Sequence, residues 1–163
     1  MAYSFPNDLD DIRSFYRNGG SYFGSFLPQM VDQLPLANDP LLRSNVAQAV
    51  NQRSASFNFL LRKMVPVMLC TAWENFKEEL KATDNPRYTT HFNPLTKWHS
   101  EPIREIALIR HCIIHKNGKV DSNYLADSRL KTFNTAGFLI DFTDIELDLQ
   151  FKMFEDAYTK III

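Results

Sequence analysis

The chain has 163 residues, is 45% hydrophobic and 23% charged, and carries a formal net charge of −1. This is the composition of one folded domain spanning residues 1–163 with room for a proper core; it excludes a disordered chain and a polycation that coats nucleic acid indiscriminately. The longest apolar stretch, around Val65–Ala72, is far too short to cross a bilayer, so no membrane association is expected. Cys70 and Cys112 stand in apolar sequence outside any zinc-ligand spacing and read as buried free thiols, which suits a reducing cytoplasm. The start, Met1 to Asp8, has neither the basic residues nor the apolar run of a secretion signal, and a cytoplasmic location is expected.

Residues 8–18 predict a short helix stopped by Gly19-Gly20, and the aromatic, turn-rich segment from Ser21 to Pro28 predicts a packed loop. Asp39-Pro40 supplies a cap and a first-turn proline for a long helix, whose face is formed by Leu41, Leu42, Val46, Ala49, Val50, Phe57, Leu60 and Leu61. Pro66 is expected to kink or break it. A second, mostly apolar run through Met68, Cys70, Trp73 and Phe76 to Leu80 predicts a central buried helix, ended by Asp84-Asn85-Pro86. The stretch from there to Trp98 reads as loop, with Trp73 and Trp98 both assigned to the core.

Ser100-Glu101-Pro102 opens the helix that carries the polar residues of interest. Ile103, Ile106, Ala107, Ile109, Cys112, Ile113 and Ile114 make it apolar apart from its charged positions, and Asn117-Gly118 offers a positive-φ turn to end it near Lys116. Residues 119–142 carry no clear periodicity; Phe138–Phe142 is expected as a short strand or extended arm. Thr143-Asp-Ile-Glu146 is a capping-box sequence that launches a last helix through Leu147, Phe151, Phe154, Tyr158 and Ile161. The predicted fold is all-α, a compact antiparallel bundle of about four to five helices with a short extended segment near the C-terminus.

Charge is unevenly spread. Lys97 to Lys131 hold seven Lys or Arg against four Asp or Glu, with three histidines among them, whereas Thr132 to Ile163 hold six acids against two lysines. A nucleic-acid surface is therefore expected around Arg110 and not on the last helix.

Arg110-His111-Cys112-Ile113-Ile114-His115 combines the residue types that phosphodiester chemistry requires. Histidine titrates near neutrality and serves as acid or base, and arginine offers a rigid fork of donors to phosphate oxygens. Together they can deprotonate a ribose 2′-hydroxyl and stabilise the charge developing on phosphorus. His111 and His115 share a helical face, but Arg110 and His115 diverge by roughly 140° at about 100° per residue. One helix does not close them around a phosphate; a frayed last turn or a second copy of the helix would. The same residues also serve as ordinary partners of a helix C-terminus and its dipole. A zinc site on His111 and His115 would require further ligands, of which His91 and His99 are the only other imidazoles.

Lys116, Asn117 and Lys119, beside His115 in the turn, are placed for RNA-backbone contact. Arg62 and Lys63 are a possible extension of that surface, or a solvent-facing basic pair. Glu105, in an apolar helix, either hydrogen-bonds an arginine or histidine or simply solvates its face. Glu74, on the neighbouring helix, is a second possible partner for the site.

Glu105-Ile106, Arg110, His115 and the run Ile113-Ile-His-Lys-Asn-Gly-Lys-Val-Asp121 resemble the signature of the HEPN superfamily, in particular its RiboL-PSP-HEPN branch. There the hallmark is arginine, a polar residue, a short spacer and histidine. His111 occupies the polar position, where asparagine is commonest. Ala72-Trp-Glu-Asn-Phe-Lys-Glu-Glu-Leu80 resembles the preceding core helix of that branch. The resemblance implies a helical bundle that pairs as a homodimer, joining two Arg-x-x-x-x-His motifs in one cleft. It also implies RNA cleavage without a metal or other cofactor, with Arg110, His111 and His115 as catalytic residues, and an antitoxin or other protein partner. Inactive members of that superfamily are dimerisation or binding modules, which stands as the alternative.

Overall fold

The computed structural model describes residues 3–33, 39–92 and 99–163; Trp98 lies outside them. The described chain is all-α. Its four long helices are α1 (Phe5–Ser21), α3 (Pro40–Ala82), α5 (Glu101–His115) and α7 (Asp144–Ile162). Three short ones, α2 (Leu27–Asp32), α4 (Pro86–His91) and α6 (Ser122–Asp127), fill the connections.

Side-chain contacts fix the direction of each long helix. The start of α1 meets the end of α3 through Ser4 and Glu79, 2.5 Å apart, and the end of α1 meets the middle of α3 where Gly19 lies against Leu61. On the other flank α5 meets α3 through Arg110 and Glu74, and the turn after α5 meets Lys63, earlier in α3. α1 and α5 therefore run antiparallel to α3. α7 runs parallel to α3, from Asp144 beside Arg62 (3.4 Å) to Tyr158 against Phe76 (ring centroids 5.0 Å).

The core sits where these four helices converge on the second half of α3. Trp73 is wholly buried, with Phe5 at 5.2 Å and Phe154 at 5.5 Å between ring centroids. Leu69, Phe76, Leu80, Ile103, Leu147 and Phe151 close around them. Edge-to-face and tilted ring pairs of this kind add to the burial of large apolar area.

Several sequence expectations are corrected. Gly19-Gly20 does not stop α1: a five-residue π-helical turn, Tyr22–Phe26, joins α1 to α2. Gly19 is there for close approach, since a Cβ on it would sit 2.8 Å from a Leu61 methyl. The segment from Ser21, expected as loop, is consequently helical. Pro66 lies inside an unbroken 43-residue α3. Proline in a helix interior costs about 3 kcal/mol, and burial of Val65, Pro66, Leu69 and Cys70 on both sides of it offsets that loss. Of the expected face of the first half of α3, Leu61 is core and Val46, Val50 and Phe57 are half-buried, whereas Leu41, Leu42 and Leu60 are exposed. Asn85-Pro86 ends α3 and also starts α4, because Asn85 Oδ1 accepts from Arg87 N at 3.0 Å and Pro86 occupies the first helical position.

Other boundaries follow their local chemistry. Asp39 caps α3 by accepting from Leu41 N and Leu42 N, both at 3.0 Å. Asn117 and Gly118 take φ of 54° and 72° and end α5. Phe138–Ile140 is extended and bridges antiparallel to the chain leaving α5, with Val120 N donating to Phe138 O at 2.9 Å and Ile140 N to Gly118 O at 2.8 Å. Thr143 and Glu146 form the capping box of α7: Thr143 N donates to Glu146 Oε2 at 2.7 Å and Glu146 N to Thr143 Oγ1 at 3.3 Å. Thr143→Ala is expected to lose about 1 kcal/mol of stability, read from the urea midpoint, whereas Thr143→Ser retains most of it.

Candidate functional site

Arg110, His111 and His115 lie in the C-terminal half of α5, while Glu101, Arg104 and Glu105 lie in its first half. Arg110 lies at the edge facing α3, 28% exposed, and its Nη1 donates to Glu74 Oε1 at 3.0 Å. Its Nε is buried without a hydrogen-bond partner. Cys70, directly beneath, is pushed up to about 12 by burial and stays a neutral thiol. The guanidinium is thus held at one end by a carboxylate and retains unused donors.

His111 and His115 are exposed one turn apart, with ring centroids 4.8 Å from each other. Helix α5 remains regular to His115, so the last turn does not fray, and among the described residues no hydrogen bond or ion pair joins Arg110 to either imidazole. Within one chain the two halves of the motif diverge around the helix, as the helical spacing requires. Among the described residues no three His, Cys, Asp or Glu side chains cluster in a metal-binding arrangement.

The turn that follows brings Lys116, Asn117 and Lys119 to the surface beside His115. Lys116 pairs with Asp121 at 3.6 Å. Asp121 in turn caps α6, accepting from Tyr124 N at 2.8 Å; that bond, with Lys116 and His111 nearby, holds its carboxyl below the usual range. Gly118 packs against Lys63, whose ammonium lies 3.9 Å above the ring of Phe59. Lys63 is buried, which lowers its pKa against the opposing pull of Asp141. Arg62 is engaged with Asp144 at 3.4 Å. Neither member of this pair extends an open phosphate-binding surface: one is covered by the turn and the other is tied to the start of α7.

Gly118→Ala is expected to cost about 1–2 kcal/mol through its left-handed φ, read from thermal unfolding. The added Cβ would sit 2.6 Å from Lys63 Nζ, the end of a flexible chain that can retreat, so the backbone term dominates.

Glu105 does not reach the arginine or the histidines. Its carboxylate, 4% exposed, accepts from the Tyr124 hydroxyl, from Ser128 Oγ at 2.6 Å and from Thr132 N at 3.4 Å. It anchors α6 and the segment behind it to α5. This is the bonding a buried carboxylate requires, supplied from residues that had no legible periodicity. Sequence reasoning also passed over Asn123 and Asp127, which line a groove with His111. The signal that could have found them is Asp121 as an N-cap for a short helix.

Fold and site together define an all-α bundle that presents an arginine and an exposed histidine pair at one helix end, and no helix of the described residues is long and apolar enough to cross a membrane. Comparison with protein-family models, with curated proteins and with solved structures returns no match for this chain.

Proposed function

We propose that the chain is a HEPN-like, metal-independent endoribonuclease of toxin or defence type that acts as a homodimer in the cytoplasm. The observation that carries this reading is the exposed His111–His115 pair beside a guanidinium held by Glu74. His115 removes the proton of a ribose 2′-hydroxyl, and the oxygen attacks phosphorus. The bond to the 5′-oxygen breaks, and that oxygen takes a proton from a second imidazole, either His111 or the partner subunit's His115. The products are a 2′,3′-cyclic phosphate and a free 5′-hydroxyl. Arg110 stabilises the charge on the phosphoryl oxygens. Because Arg110 and His115 diverge on one helix, a second copy completes the site, and Lys116, Asn117 and Lys119 contact the RNA backbone.

The test is cleavage of labelled single-stranded and structured RNAs in excess EDTA, beside Arg110→Ala and His115→Ala. Cleavage that both substitutions abolish, with folding and dimerisation intact, supports the nuclease; no cleavage across a broad panel overturns it. The Glu74–Arg110 ion pair favours a second reading, a non-catalytic module that binds a protein or a second copy, since the carboxylate already neutralises the arginine. A stable dimer or a captured antitoxin-type partner, without cleavage, would support that alternative.

A further inference from the structure

Beside the histidine pair, α5 and α6 enclose a groove of about 290 Å³ lined by Leu108, His111, Asn123, Tyr124 and Asp127. Asn123 and Asp127 are one turn apart and share an edge of α6. Both are exposed, and among the described residues neither side chain has a hydrogen-bond partner in the protein. Leu108 supplies an apolar wall, and the ring of Tyr124 is buried with its hydroxyl committed to Glu105. The groove is built rather than incidental in one respect: Glu105 ties both Tyr124 and Ser128 to α5, and Arg104 Nη1 donates to the Asp127 carbonyl at 2.8 Å. Two fastenings therefore hold α6 at a set distance from His111.

We propose that this groove is a guanine-binding subsite, with Asp127 accepting from the N1–H and the N2 amino group and Asn123 donating to O6. Among the four RNA bases only guanine offers a carboxylate two adjacent N–H donors with an acceptor alongside. Adenine and cytosine place an unprotonated ring nitrogen next to the amino group, and uracil has one N–H between two carbonyls. Unstacked bases of single-stranded RNA are recognised in this way, by edge hydrogen bonds with a planar side chain against the ring. His111 is that planar group, and its ring stands 4.8 Å from His115. A guanine in the groove thus places its own sugar and phosphate beside His115, so cleavage falls at guanosine. The role in cleavage rests on the nuclease reading; the binding of the base does not.

The experiment titrates the full chain with guanosine, inosine, adenosine, cytidine and uridine monophosphates, following backbone amides by NMR. Guanosine monophosphate is expected to bind roughly tenfold more tightly than the adenosine, cytidine and uridine forms, the scale of one good bidentate base contact. Inosine, which lacks the 2-amino group, should fall between. The shifts should centre on residues 123–127; Asp127→Ala should erase the preference, and Asn123→Ala should weaken it. Equal affinity for all bases, no binding at all, or a guanine preference that survives both substitutions overturns the subsite. RNA cleavage is scored separately. Guanine binding at Asp127 without any cleavage sinks the nuclease reading alone, whereas cleavage indifferent to base and to Asp127→Ala sinks the subsite alone.

Discussion

On the nuclease reading proposed above, replacing His115 with alanine is expected to lower metal-free RNA cleavage by about 10²–10⁴-fold, the usual contribution of one positioned acid or base, with helix content unchanged. His115 is exposed at the last turn of α5 and leaves no cavity when truncated, so a folding defect is not an available explanation for lost activity. Arg110 requires a finer test, because its guanidinium also pairs with Glu74 across the α3–α5 contact. Arg110→Ala removes both roles. Arg110→Lys keeps the charge and the ion pair but loses the planar fork, and it is expected to lose most of the activity if the fork grips phosphate. An Arg110→Lys protein with parental cleavage rates would show that the residue only braces the helices.

The largest stability effect is expected at Trp73. Truncation to alanine should cost about 3–5 kcal/mol, a large share of the roughly 5–15 kcal/mol that holds a domain of this kind together. Trp73 is wholly buried and touches Phe5, Phe76, Phe92 and Phe154, so its removal opens a cavity between α1, α3, α4 and α7 that rigid rings cannot refill. Its indole Nε1 is buried without a hydrogen-bond partner. Both substitutions remove that donor, but Trp73→Phe leaves a much smaller cavity and should cost clearly less than Trp73→Ala. Urea unfolding of the two variants side by side checks this ordering. Equal losses would mean that a phenyl ring at this position restores none of the packing that the indole makes.

The resemblance pointed to Arg110 and His115 from their sequence pattern, and the helix that carries them was legible for local reasons. The Glu101-Pro102 opening, the apolar positions of α5 and the Asn117-Gly118 turn act within a few residues of one another and mark its ends, although the Ser100 side chain, expected as a cap, makes no capping hydrogen bond. The Thr143–Glu146 box and the Asp39 cap were legible in the same way. Signals that depend on the rest of the molecule were misread. Gly19-Gly20 resembles a stop, and Pro66 a break, when only neighbours along the chain are weighed. A leucine packed against Gly19 and burial on both sides of Pro66 reverse both readings. The partners of Glu105, Arg62 and Lys63 were equally out of reach, since each is contacted by residues from a distant or weakly patterned segment.

By itself, the sequence determined the helical class, the caps that open α3 and α7 and the spacing that puts His111 and His115 on one face. These follow from propensity, capping and the helical repeat, all of them short-range. Only the tertiary structure decided that Glu74 holds Arg110, that Glu105 serves α6 and not the arginine, and that Asn123 and Asp127 line one groove with His111. Those pairings depend on how separate helices pack against one another. Hydrophobic burial sets that packing, and hydrogen bonds to buried polar groups then select which side chains meet.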